Sequence, residues 1–307
     1  MKFLKKIYEK MPAGIKGIAD KWLQSIGHKR YKKIVKNNSQ KLRKTILQYY
    51  TDQSFDDEKL KKAVDYFKAN ETDFFMKEIE CIQEIRYGYD DEKKLPYVVH
   101  NGKKLFFKRD MNKKAVIKAY RGLIDEQNES SPHLYLPDSE KKKKYGCVVD
   151  AGASEGIFSL DIIDQCEKIV LVECDSGWNE ALQATFSPYL SKVEFCNKFL
   201  GGKTKDDNTI SIDELLAAEK DVDLVKMDIE GAEPQALEGA ERTLGENPQC
   251  RLLICVYHYQ DEEKDVDAIL KDYKKVYRDS YVIFPHDFNQ KPPYFRNGVI
   301  TYQKMET

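Results

Sequence analysis

The spacing of apolar residues divides the chain into two unlike stretches. Over residues 1–90 they recur every three or four positions. Leu4, Ile7, Tyr8 and Met11 come first; after "PAG" follow Ile15, Ile18, Ala19, Trp22, Leu23 and Ile26, with lysines between. That period predicts amphipathic helices. "LPYVVHNGKKLFF" sets Asn-Gly between two apolar runs and predicts a hairpin near residues 95–108; "NKKAVIKAYRGLIDEQ" then resumes the helical period. "NESSPHLYLPDSEKKKKYG" is turn and charge chemistry. It separates a mostly helical region, 1–140, from a second domain, 141–307.

From Tyr145 onward, short continuous apolar runs replace the helical stripe. They are "GCVVDAG", "KIVLVEC", "KVEFC", "DLVKMDI", "RLLICVYH", "YVIFPH" and "GVITYQ". Helix-length segments lie between them: "EGIFSLDIIDQC", "GWNEALQATF", "SIDELLAAEK", "EPQALEGAERTL" and "DVDAILKDYKKVY". Strands alternating with helices predict an α/β fold, a mostly parallel sheet buried on both faces. Only the turn-rich "DFNQKPPYFRN" joins the last two runs, which predicts an antiparallel last strand.

Composition adds a polarity to this plan. Residues 1–50 carry 14 Lys/Arg against Glu9 and Asp20, so the remainder, with 37 basic and 50 acidic side chains, is distinctly acidic. A basic amphipathic end suits peripheral contact with an anionic membrane, or simply solvated helix faces packed on their own protein. No continuous apolar segment follows "MKFLKKIYEK", so neither a signal peptide nor a membrane span is expected, and the cytoplasm is the expected compartment. The seven cysteines show no C-x-x-C pair and no zinc-like spacing.

The chemistry gathers at the strand ends. "VVDAGASEG" runs a buried strand into a loop with Gly152 and Gly156, after Asp150, and ligands of such sheets bind beyond the strands' carboxyl ends. Glu173 ends the second strand, where a carboxylate can accept from both ribose hydroxyls. A dinucleotide would want G-x-G-x-x-G; here the pattern is G-x-x-x-G, and Ser154 stands where that fingerprint explains nothing. Asp228 and Glu230 end the fourth strand and, if it continues, share one face; His258 ends the fifth. These three are the catalytic candidates. "DIEG" also suits a helix N-terminus, and "VYHYQDE" a helix start.

Taken in order, "VVDAGASEGIFSL", "VLVECD", "FCNKFLGG", "TISIDELL" and "DLVKMDIEGAEPQALEGAERTL" resemble the FkbM family of S-adenosylmethionine-dependent methyltransferases. Its hallmark run is here Lys226, Asp228, Glu230, Gly231 and Glu233, and the resemblance extends over about residues 120–303. Cys174 departs from it, standing where the family often has proline. The resemblance implies a class I methyltransferase (Rossmann-like) fold with seven strands, the last antiparallel, and S-adenosylmethionine as cofactor. With the residues read above, the expected cofactor site is Asp150, Gly152, Ser154, Gly156, Glu173, Asn197, Asp228 and His133; no dense metal-ligand cluster stands out, though Asp228, Glu230 and His258 could hold a magnesium-like ion if all converged. The acceptor that the resemblance implies is a glycan or other small hydroxylated molecule, methylated at a hydroxyl. Two other functions remain open: a nucleic-acid methyltransferase gripping phosphates with its basic end, which the acidic second domain opposes, and a docking scaffold with a vestigial cofactor site.

Overall fold

The computed structural model describes residues 37–51, 53, 56–70, 84–204, 207–284, 287 and 290–305. The amphipathic stripes expected before residue 37, and the membrane contact read from them, lie outside the described residues. The chain divides into two compact units, Met1–Phe55 and Asp56–Thr307. In the first, a helix, α1, covers 37–51.

The second unit opens with α2 (Glu58–Ala69), capped by the Asp57 side chain on the Leu60 amide, and a three-stranded antiparallel sheet of β1 (Tyr87–Asp90), β2 (Leu95–His100) and β3 (Lys103–Phe106). Asn101 and Gly102 both take positive φ, 49° and 82°, so the β2–β3 connection is the tight turn that Asn-Gly favours. Next come α3 (Lys113–Glu126), capped by Asn112, and the one-turn α4 (Asp138–Lys141).

The main sheet follows: β4 (Tyr145–Ala151), α5 (Ile157–Ile162), β5 (Cys166–Val172), α6 (Asn179–Phe186) and β6 (Val193–Cys196). A small parallel pair, β7 (Phe199–Leu200) and β8 (Thr209–Ile210), leads through α7 (Ile212–Leu215) to β9 (Val222–Met227). The chain continues with α8 (Glu233–Glu238), α9 (Glu241–Glu246), β10 (Arg251–Cys255), α10 (Glu262–Ile269), β11 (Tyr273–Val276) and β12 (Val299–Lys304). The strand order is β11-β12-β10-β9-β4-β5-β6. β12 runs antiparallel to both its neighbours, and the pairs from β10 to β6 are parallel. This is the expected Rossmann-like, class I methyltransferase sheet with an antiparallel last strand.

Alternation explains why the strands read as unbroken apolar runs. Val148, Ile169, Leu171, Leu224 and Leu253 face one layer, packed with Ile157, Phe158, Leu160, Leu182 and Phe186 from α5 and α6. Val149, Val170, Val225, Leu252 and Ile254 face the other, packed with Ala236, Leu237, Leu244 and Val266. Both faces are therefore apolar. The small sheet forms a further layer outside α5 and α6. Phe106 donates its backbone N–H to Thr185 Oγ1 (3.0 Å), and Leu95 and Phe106 pack on Ala181 and Ala184.

Two expectations need correction. The sixth strand is Tyr273–Val276, inside the segment read as a helix, whereas "YVIFPH" yields no strand among its described residues but a single bridge, Val282 to Arg296. Tyr273 and Lys275 share a face of that edge strand; Tyr273 packs on the core, and Lys275 reaches back to Glu263 and Asp267 of α10. A period of two and a period of 3.6 both accommodate such a segment, and pairing with β12 decides between them. "EPQALEGAERTL" likewise forms two short helices rather than one.

One buried ion pair crosses the middle of the sheet. Asp150 and Lys226 are register partners on β4 and β9, exposed by only 1% and 3%, with Nζ 3.0 Å from Oδ1. Lys226 also donates to the carbonyls of Ala151 (3.2 Å) and Gly152 (2.7 Å). Lys226→Met keeps the bulk but strands the Asp150 charge, so it should cost about 3–5 kcal/mol in denaturant unfolding. A loss below about 1 kcal/mol would mean that Asp150 does not depend on this partner.

Candidate functional site

The carboxyl ends of β4, β5 and β9 meet at a cavity of about 420 Å³. Gly152 enters it at φ 76°, and a Cβ there would collide with the Asp228 carbonyl, so only glycine lets the two strand ends approach. Gly156, at φ 85°, is a glycine for a different reason: a Cβ would press on Phe186 and Leu182 of α6. Between them, Ser154 turns its backbone N–H onto Glu173 Oε2 (2.8 Å), and Glu173 Oε1 accepts from the Asp175 amide (2.7 Å). The loop thus aims the carboxylate at the end of β5 and leaves lone pairs for a ligand.

Of the residues expected at the site, Gly152, Ser154, Glu173, Asp228 and Glu230 line the cavity, joined by Trp178 and Phe199. Others stand behind it. Asp150 is buried against Lys226 and accepts from Ser159 Oγ (2.7 Å). Asn197 donates its side-chain amide to the Glu173 carbonyl, a positioning contact. Gly156, His133 and His258 are not part of the cavity wall, though the two histidines bear on its floor.

That floor is Asp228. Its Oδ2 accepts from Tyr135 Oη at 2.6 Å and lies 3.4 Å from His133 Nε2; its Oδ1 lies 3.2 Å from His258 Nε2. His133 Nε2 is also 2.9 Å from Tyr257 Oη and 3.7 Å from Cys255 Sγ. Behind His258, Glu262 Oε2 accepts the His258 backbone N–H (2.6 Å) and approaches Nδ1 to 3.2 Å, while Glu233 Oε1 lies 3.6 Å from Nδ1. "SPHLY" is held in place from both sides: Gln127 bonds the His133 carbonyl and the Tyr135 amide, and Arg278 donates to the carbonyls of Leu134 and Tyr135.

The shared face expected for Asp228 and Glu230 does not form. β9 ends at Met227, and Glu230 sits in the following turn at φ 60°, exposed. The alternation stops before it reaches Glu230, so the carboxyls gathered around His258 are Asp228, Glu233 and Glu262. Glu262, Tyr135 and Tyr257 escaped the sequence reading. Glu262 left one signal there, its position four residues after His258.

Burial would raise the Asp228 carboxyl, but hydrogen bonds from His133 and His258 and the nearby Lys226 outweigh it and hold the group well below the usual carboxylate range. Burial would lower His258; the bonds to Asp228 and Glu262 and the nearby Glu233 instead push it up to about 11. Glu233 rises to about 8, chiefly through burial and with the neighbouring Glu262 adding to it. Tyr135 and Tyr257 lie well above their ordinary value through burial, with Asp228 next. At neutral pH, Asp228 is therefore an anion facing the cavity, backed by an imidazolium.

Among the described residues, two groups bring three metal-ligating atoms within 4.8 Å: His133, Asp228 and Cys255, and Asp228, Glu233 and His258. In the second, Asp228 and Glu233 are nearest to different ring nitrogens of His258, Nε2 at 3.2 Å and Nδ1 at 3.6 Å. In the first, His133 Nε2 and Asp228 Oδ2 are each engaged with a tyrosine hydroxyl. The geometry is that of a hydrogen-bonded network. The cavity itself suits a nucleoside, with Glu173 for vicinal hydroxyls and Trp178, Phe199, Val172 and Leu200 for a ring.

Residues 125–277 match the family model described as the methyltransferase FkbM domain. A solved methyltransferase FkbM from Methylobacillus flagellatus KT is similar at 22% identity and TM-score 0.43, covering 56% of this chain and 50% of that one. The chain thus spans about half the length of that relative. A precorrin-6y C5,15-methyltransferase from Geobacter metallireducens GS-15 is similar at 14% identity and TM-score 0.35, over 53% of this chain and 82% of that one. An rRNA methylase from Streptococcus thermophilus is similar at 14% identity and TM-score 0.36, over 53% and 89%. No curated protein matches the chain.

Glu155, buried in the glycine loop, allows a test of the site's electrostatics. Burial, with Glu126 also nearby, raises its carboxyl from 4.5 to about 8. Between those values the folded protein holds a proton that the unfolded chain has released, so stability falls as pH rises through the window. Glu155→Gln cannot titrate. Its melting temperature should fall less steeply than that of the native protein from pH 5 to 8, and should exceed the native value at about pH 8. Parallel pH profiles would show that Glu155 is ionised throughout.

Proposed function

Residues 125–277 place the chain in the FkbM methyltransferase family, and from that premise we propose that it is an S-adenosylmethionine-dependent O-methyltransferase acting on a hydroxyl of a glycan or other small hydroxylated metabolite. The observation that carries this reading is the convergence of Gly152, Ser154, Glu173 and Asp228 on one cavity at the carboxyl ends of adjacent strands. When bound, the cofactor supplies an electrophilic methyl group on a sulfonium.

The chain's own groups divide the remaining work. Glu173, pre-aimed by the Ser154 and Asp175 amides, receives the ribose hydroxyls. Asp228 accepts a hydrogen bond from the acceptor hydroxyl and turns an oxygen lone pair towards the methyl carbon, and alignment of this kind is worth about 7–11 kcal/mol. A carboxylate with so low a pKa is a weak base towards an ordinary alcohol. As the carbon–oxygen bond forms, however, the hydroxyl proton becomes strongly acidic, and a weak base in contact with it suffices. An adjoining open cleft of about 670 Å³, lined by Lys203, Thr209, Gln235 and Glu238 and sharing Glu230 and Phe199 with the cavity, supports a polyhydroxylated acceptor. It offers donors, acceptors and one exposed ring.

S-adenosylhomocysteine should accompany the purified protein in mass spectrometry; a nicotinamide dinucleotide in its place would overturn the reading. Glu173→Ala should weaken cofactor binding by roughly 1.5–3 kcal/mol per lost charged bond, and unchanged affinity in calorimetry would remove Glu173 from the site. Asp228→Asn should lower turnover about 10²–10⁴-fold at saturating cofactor while leaving cofactor affinity nearly unchanged. Near-normal turnover would exclude Asp228 as the group that handles the acceptor proton.

A further inference from the structure

His258 meets the cavity only through Asp228, and what stands behind it is unusual. Glu262 is completely buried, in the first turn of α10, and both its oxygens turn back on a residue four positions earlier. Oε2 accepts the His258 backbone N–H at 2.6 Å, and Nδ1 lies 3.2 Å from Oε2 and 3.3 Å from Oε1. Glu233, equally buried, is farther from Nδ1 at 3.6 Å, and its Oε1 already accepts the Ile229 amide (2.8 Å). On the ring's other edge, Nε2 faces Asp228 Oδ1 at 3.2 Å. The Tyr257 ring stacks on the imidazole at 4.4 Å, and Phe284 meets it edge-on at 5.7 Å. The charged or titratable groups facing His258 are thus Asp228, Glu233 and Glu262, with Tyr257 across its face.

We propose that Glu262 is the positioning residue of this site: it holds a proton on His258 Nδ1 and sets the ring so that Nε2–H is delivered to Asp228. The inference deepens the reading of Asp228 given above. Both imidazole nitrogens face carboxylates, so the ring is most stable with both protonated, and its donation to Asp228 is charge-assisted. The order is Glu262, His258, Asp228, cavity, with only the half-buried Asp228 at the front. A buried carboxylate that only capped α10 would have no need of a side-chain contact with the histidine.

The test reads the histidine itself and needs neither acceptor nor cofactor, so a failure to find methyl transfer leaves it standing. In the native protein, nitrogen-15 NMR of His258 at pH 8 should show both ring nitrogens protonated; a neutral ring there would overturn the proposal without any variant. Glu262→Gln keeps an oxygen for the His258 backbone N–H and removes the charge. Its His258 should become neutral by pH 8, with the remaining proton on Nε2. Glu233→Gln should leave His258 doubly protonated at that pH. A Glu262→Gln protein that keeps the imidazolium, or a Glu233→Gln protein that loses it, would assign the role to Glu233 and sink the proposal. Methyl transfer by Glu262→Gln should fall about tenfold with cofactor affinity unchanged, as a charge-assisted bond to Asp228 becomes a neutral one; an unchanged rate would reduce Glu262 to a structural role.

Discussion

The site depends on how closely the ends of two central strands approach. The Asp228 amide donates to the Ala151 carbonyl (3.0 Å), and Gly152 turns immediately beside the Asp228 carbonyl, where no side chain fits. Backbone this close leaves the β4 loop and the residue after β9 no independent choice of position. The Lys226 ammonium reinforces the seam by joining Asp150 to the Ala151 and Gly152 carbonyls. The Glu173 carboxylate is tied to the same loop through the Ser154 amide. The Glu173 and Asp228 carboxylates are therefore positioned by one rigid backbone arrangement, with the precision of about half an ångström that a binding or catalytic constellation asks of its scaffold.

The seam also shapes the electrostatics. Asp150 and Asp228 both lie near Lys226, yet only Asp150 pairs with it directly; Asp228 is served by histidines and a tyrosine. A lysine against Asp228 would quench its charge towards the cavity. Hydrogen bonds from neighbouring imidazoles instead hold it anionic and leave the outward side of the carboxylate available. Glu233, rising to about 8, completes the logic. Three carboxylates around one imidazolium would repel one another in a low-dielectric interior, and the member without a close partner on its second oxygen is the one that stays protonated.

Much of this was legible in the sequence, for physical reasons that vary by element. "VVDAG" reads as a central strand because both faces are buried and it opens on two β-branched valines. The hairpin is legible because Asn-Gly suits two successive positive φ angles. The cavity-lining role of Gly152, Ser154 and Glu173 follows from strand ends that periodicity locates well. The position of Glu230 was not legible, because alternation does not announce where a strand stops: β9 ends one residue before Asp228, and the chain turns. β11 was hidden by a segment whose apolar residues satisfy both periods, and edge pairing decided it. Tyr135, Tyr257 and Glu262 come to Asp228 and His258 from separate segments, and no spacing rule links Tyr135 to Asp228 across 93 positions.

Tyr135 carries a last consequence for how the chain is divided. The sequence boundary between residues 140 and 141 assigns His133 and Tyr135 to the first region and Asp228 to the second. Yet Tyr135 donates the shortest of the bonds to Asp228, its ring lies 5.0 Å from the Lys226 ammonium, and its backbone is held by Arg278 from beyond α10. "SPHLYL" thus backs the Asp228 floor of the site, held from upstream by Gln127 and from downstream through the Pro132 carbonyl, which accepts from the Val299 amide (2.8 Å). β12 therefore serves two purposes: it completes the sheet and anchors the segment that delivers Tyr135 to Asp228. A domain cut at 140 would leave the sheet intact and take the Tyr135 hydroxyl and the His133 imidazole away from Asp228. The compact unit Asp56–Thr307 keeps them together and contains the whole network around Asp228.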